Sequence, residues 1–117
     1  MSNERLKSLR IRAFHAQAGH CFYCSLPMWL ASPNELGLRH RSARPYQCTA
    51  EHLIAQQDGG LDVPENVVAA RARCNQGRHK RQGPTPSPGA FRTLVRKRLA
   101  VGKWWTLLPP GIAHAPV

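Results

Sequence analysis

The stretch Thr49–Lys80, TAEHLIAQQDGGLDVPENVVAARARCNQGRHK, decides how this chain is read. Glu51-His52 opens it, Gly59-Gly60 bends it, Asn66 stands alone, and Cys74-Asn75 leads into a basic run. "YQCTAEHLIA" has strand composition at its centre and "NVVAA" makes a second short strand. Between them, Asp58-Gly59-Gly60 and Pro64 mark a loop. "CNQGRHKRQ" reads as a short basic helix or turn that stops at Gly83. Strand, strand and helix can therefore carry these side chains toward one metal ion.

The flanks fit one small domain over residues 1–117. Residues 3–19 read as a helix capped by Asn3 and stopped by Gly19, with Leu6, Leu9, Ala13 and Ala16 on one face and Arg5, Lys7, Arg10 and Arg12 on the exposed side. Residues 20–83 hold the core motif, in which Ser32 to Arg44 reads as a polar loop. Residues 84–108 hold the proline-rich "GPTPSPG" connector and a basic amphipathic helix with Phe91, Leu94, Val95 and Leu99 on its apolar face. Trp104 and Trp105 are expected to pack back on the core, with base stacking as the sharper alternative. Residues 109–117 read as a tail.

The chain has 117 residues, 42% of them apolar, which suits one modest core. Its formal charge is +11, from 17 Lys+Arg against 6 Asp+Glu, and no acidic residue follows Glu65. That asymmetry points to a polyanionic partner, nucleic acid before an anionic membrane. No stretch has the length of a signal peptide's apolar core or of a membrane span, so a cytoplasmic location is expected, without membrane attachment. Four cysteines in a reducing compartment bind metal or stay free.

Cys21-x2-Cys24 has the spacing of half a structural zinc site, because a tight knuckle aims two thiolates at one ion. A second knuckle ending at Cys74 would begin at position 71, which is Arg71. Cys21, Cys24 and Cys74 then supply three sulfurs. The fourth ligand is open: Cys48, His20, His40 or His79 can complete the set, and Cys48 is equally a small buried hydrophobe.

Phosphodiester hydrolysis needs a base for water, a cation for the crowded phosphate and leaving oxygen, and a group that orients the base. His52 is the natural base, since imidazole titrates near neutrality. Glu51 precedes it, and adjacent residues of a regular strand face opposite ways, so the pair can only straddle a phosphate from a strand end. A lone strand histidine is most simply a satisfied core residue. The neighbours are what argue for more.

With "CFYC" upstream, "EHLIAQQDGG…ENVVAA…CN" resembles the HNH endonucleases, a branch of the ββα-metal (His-Me finger) nucleases. The usual pattern is Asp-His on the first strand, asparagine at the second, and His or Asn at the helix start. Here His52 to Asn66 is fourteen residues and Asn66 to Asn75 is nine. Both intervals look normal for the family, including the variant with asparagine in third place found in RNA-guided nucleases. The resemblance covers about 21–81. It implies an α+β fold with a small ββα-metal motif and a zinc-knuckle-like element between flanking helices. It implies His52 as general base, Glu51 and Asn75 as ligands of Mg2+ or Mn2+, and Asn66 orienting His52 or pinning the loop. A zinc ion, where bound, would be structural and separate. His79 lies one turn after Asn75 and can join the catalytic ion, complete the zinc or touch a phosphate. Arg73, Arg78, Lys80 and Arg81 are expected to contact backbone phosphates.

The resemblance implies a metal-dependent endonuclease acting on DNA, with RNA left open. The alternative is a non-catalytic nucleic-acid-binding module on the same fold. No separate specificity domain is evident, so a homodimer or a specificity partner is in view. Two departures stand out: Glu51 takes the place of aspartate, one methylene longer, and Arg71 that of a zinc cysteine.

Overall fold

The computed structural model describes residues 2–104. Three helices and one two-stranded antiparallel sheet make an α+β fold: α1 (Ser2–Ala16), β1 (Cys48–His52), β2 (Val67–Arg71), α2 (Ala72–His79) and α3 (Pro88–Ala100). The sheet register pairs Cys48 with Arg71 and His52 with Val67, so Glu51 lies opposite Val68. No helix among the described residues is long and apolar enough to cross a membrane.

The first helix starts one residue early, so Asn3 lies within it and does not cap it. It also stops at Ala16, before the expected glycine. The chain turns through Ala18 and Gly19, both with positive φ, and the Gly19 N–H bonds Phe14 O at 2.9 Å. Glycine suits that turn because a Cβ there would sit 3.3 Å from the Phe14 ring. Gln17 explains the early stop. Its amide leaves the helix to bracket Ala69 of β2, accepting from the Ala69 N–H at 2.8 Å and donating to its carbonyl at 2.9 Å. One side chain thus acts as a short extra strand along the outer edge of β2. Phe22 N also reaches Ala69 O, which ties the cysteine knuckle to the same edge.

The core gathers Tyr23, Leu26, Met28, Ala69, Ala70, Phe91 and Val95 with all four cysteines. Ser87 caps α3 through the Ala90 N–H, and Phe91 meets the Tyr23 ring edge-on at 5.1 Å. Arg96 fastens the helix to the knuckle by donating to Tyr23 O and Ser25 Oγ. Trp104 packs on Phe91, as expected; Trp105 and the 109–117 tail lie outside the described residues.

The segment expected as a polar loop, residues 32–44, is built differently. It folds into short 3-10 turns around a second small core of Trp29, Ala43 and Tyr46, with Leu36 and Leu38 against it. Ser32 and Glu35 form a capping box that starts this segment. Five apolar side chains spread thinly among polar ones carry no periodic signal, which is why the sequence reads as loop.

Candidate metal and catalytic centre

The centre forms where β1 ends against α2. Glu51 is only 2% exposed, and a carboxylate so buried is costly unless paired. Its two oxygens are treated differently. Oε2 accepts from the Tyr23 hydroxyl at 2.9 Å and from Arg78 Nη1 at 3.2 Å. His79 Nε2 lies 3.0 Å from Oε1 and 3.3 Å from Oε2. Burial, and then the Glu51 charge, push the Tyr23 phenol up, so it remains a donor.

Arg78 is not the surface phosphate contact that its place in a basic run suggests. It is buried, and its guanidinium also donates to the carbonyls of Pro86, His52 and Leu53. A charge inside the fold must be satisfied from all sides, and five internal acceptors, counting Tyr23 Oη and Glu51, leave this one turned inward. Arg73, Lys80 and Arg81 do lie on the surface.

Asn75 stands one helical turn before His79 and faces the same strand. Its Nδ2 donates to Thr49 Oγ1 at 3.1 Å and Ala50 O at 3.3 Å. That anchoring fixes the amide and leaves Oδ1 as its remaining acceptor. Glu51, His79 and Asn75 thus meet where β1 runs against α2, the first two paired directly and the third anchored to the strand. His79 is about one-third exposed, so the group is open to solvent.

His52 does not join this cluster: its ring does not lie within 4.8 Å of both Glu51 and His79. Strand alternation sends it the other way, where Nε2 lies 2.8 Å from Asp62 Oδ1. The His52 hydrogen bond, with a further one from Gln56, holds the Asp62 carboxyl below its ordinary range. An ionised Asp62 can only accept, so Nε2 is the nitrogen that carries the hydrogen of this bond, and in the neutral ring Nδ1 is then the acceptor. The Asp62 carbonyl is in turn held by Arg5 of α1 at 2.7 Å.

Asn66 pins the loop and leaves the orienting of His52 to Asp62. Its Oδ1 accepts from Ile54 N at 2.8 Å, and its Nδ2 donates to Ile54 O and Leu61 O. The loop closes tightly over Gly60, where a Cβ would sit 1.7 Å from Ile54 O. Asp62, Tyr23 and the inward role of Arg78 were not among the expected site residues. The one signal for Asp62 was an acid ten residues after His52, just past the glycine pair.

A second cluster lies in the core. The sulfurs of Cys21, Cys24 and Cys74 are all within 4.8 Å of one another and buried. They share charge unequally. Hydrogen bonds from Cys21 and Cys74 bring Cys24 down to about 3, burial pushes Cys21 up to about 11, and hydrogen bonds to both neighbours hold Cys74 high. Three converging sulfurs fit a thiophilic divalent ion such as zinc.

None of the expected fourth ligands reaches this cluster. Cys48 lies on β1 outside the group, its thiol pushed up to about 11 by burial. His20 caps the Ala18 carbonyl, His40 sits exposed in a 3-10 turn, and His79 is engaged by Glu51. Position 71 instead supplies donors. Arg71 N–H bonds Cys21 Sγ at 3.3 Å, and its fully buried guanidinium lies 3.5 Å from Cys24 Sγ and 5.0 Å from the Tyr46 ring centroid.

Comparison with known proteins adds no relative: no family model, no curated protein and no solved structure matches this chain.

Proposed function

We propose that the chain is a metal-dependent endonuclease of the HNH type that hydrolyses phosphodiester bonds in DNA. The observation that carries this reading is the pairing of Glu51 Oε1 with His79 Nε2 at 3.0 Å, with Asn75 anchored one turn earlier and the His52–Asp62 pair on the adjoining residue. Glu51, Asn75 and His79 would hold the catalytic ion. Such an ion supplies positive charge for the phosphate and the leaving oxygen. His52 Nδ1 takes a proton from water, the water oxygen bonds to phosphorus, and the P–O bond to the leaving group breaks. Asp62 holds the imidazole in the tautomer this requires and stabilises the imidazolium that forms. Tyr23 and Arg78 occupy Oε2, so that Oε1 faces His79.

The imidazole nitrogen in the donor set favours Mn2+ over Mg2+, while the two oxygens accept either. Zinc at Cys21, Cys24 and Cys74 would be structural and complete its shell without a fourth protein thiolate. Arg73, Lys80 and Arg81, all exposed, would meet backbone phosphates. One observation favours a binding-only module instead: Arg78 already neutralises Glu51, which weakens the pull on a cation.

Plasmid nicking separates the two. Wild type should nick supercoiled DNA with Mn2+ and Mg2+ and not with EDTA, while His52→Ala should bind DNA and leave it intact. Binding by both proteins with no nicking under any metal supports the module and defeats the nuclease.

A further inference from the structure

The free edge of β1 carries a feature that the proposed chemistry does not use. Both the N–H and the C=O of Ala69 are engaged away from β1, by Gln17 and Phe22. Its partner Ala50 therefore turns its own N–H and C=O away from β2. The carbonyl takes the Asn75 amide. The N–H faces the unpaired edge, where a cavity of about 550 Å³ is lined by Lys7, Arg10, Arg44, Gln47, Thr49 and Ala50 among others. Glu4 is its only acid, so three cations exceed it by two. Lys7 and Arg44 are exposed, and neither side chain has a hydrogen bond or ion pair among the described residues. Arg10 is steadied by a contact from Nη1 to Cys48 O.

We infer that this basin is a second phosphate subsite, gripping the sugar–phosphate backbone of the DNA beside the bond that the centre cuts. The inference rests on the nuclease reading for its substrate. Cations of two shapes around a main-chain N–H suit a tetrahedral anion. Ala50 is one residue from Glu51, about 3.3 Å along a strand, so one nucleic-acid strand can lie across both places. The α1 helix thereby becomes part of the substrate platform as well as a scaffold.

The test is DNA binding by fluorescence anisotropy across a salt series, without added divalent metal so that no strand is cut. Lys7→Gln/Arg44→Gln is compared with Lys97→Gln/Arg98→Gln, an equal loss of charge on the exposed side of α3. Removing two phosphate contacts should reduce the salt slope by about two, and the α3 pair should change it less. Equal effects of the two variants, or no DNA binding by wild type, overturn the inference. In wild type, a short duplex should also shift the Ala50 amide resonance. A shift with inorganic phosphate and none with the duplex would make the basin a site for free anions and overturn it. Basin-dependent binding without nicking would sink the nuclease reading and leave the subsite standing.

Discussion

Glu51 is worth most attention at the scale of single residues, because its burial is tolerable only through its partners. Arg78 and Glu51 are 5% and 3% exposed, so removing one leaves the other as an uncompensated buried charge. Arg78→Ala should therefore destabilise the fold by about 3–5 kcal/mol, read from urea unfolding. Surface Lys80→Ala should cost little in the same measurement. His52→Ala should lower cleavage by about 10²–10⁴-fold, the usual contribution of a general base. Asp62→Asn keeps the shape but loses the charge that sets the tautomer, so kcat should fall with DNA affinity unchanged. Single-turnover cleavage and binding, measured side by side, check that split. The spacing in the sequence singles out Glu51, His52, Asn66, Asn75 and His79 as candidates. It did not disclose what each one touches. Arg78 is the plain case, since a basic run looks alike whether an arginine points to solvent or into the fold, and only the five acceptors around it decide.

At the scale of elements, the loop between the strands is a device for holding His52 at a strand end. Gly60→Ala would push a Cβ into Ile54 O, which is backbone and cannot move aside cheaply. It should unfold the loop, with loss of stability and of cleavage together. Asn66→Ala would remove three part-buried hydrogen bonds, to the Ile54 N–H and to the carbonyls of Ile54 and Leu61, at about 0.5–1.5 kcal/mol each by thermal or urea unfolding. The 3-10 segment gives a pH prediction. Burial raises the Glu35 carboxyl, but hydrogen bonds from the Leu30, Ala31 and Ser32 N–H groups outweigh it and hold it below its ordinary value. A lowered folded value means the carboxylate stabilises the segment above the ordinary carboxylate range. That stabilisation disappears as pH falls through the lowered value. Melting curves of wild type and Glu35→Gln should differ at neutral pH and converge in acid. Both strands and both long helices were legible from periodicity and turn residues. The C-terminal end of α1 was not, because Gln17 abandons the helix for a long-range bond to Ala69 that no local pattern records.

Across the whole molecule, two groupings stand apart: the buried sulfurs of Cys21, Cys24 and Cys74, and the half-open Glu51–His79 pair. The knuckle spacing revealed Cys21, Cys24 and Cys74, and the structure brings their sulfurs together. The substitution at position 71 looked from sequence like a missing ligand. In the fold Arg71 becomes a buried donor beside two of the sulfurs, a role visible only once β2 delivers it there. Zinc at 100 times its dissociation constant should add about 2.7 kcal/mol to stability, and Cys74→Ser should abolish that gain. Zinc-dependent melting of the two proteins checks it.

The most direct test of the central claim is Mn2+ binding by electron paramagnetic resonance, measured on the same preparations that are assayed for plasmid nicking. Wild type, His52→Ala and His79→Ala are compared. His52→Ala should bind one Mn2+ as tightly as wild type and fail to nick, since the proposed mechanism gives His52 to water and not to the ion. His79→Ala should bind Mn2+ more weakly and nick more slowly. Mn2+ binding that survives in His79→Ala, or that is lost in His52→Ala, would contradict the assignment of Glu51, Asn75 and His79 as the ion's ligands.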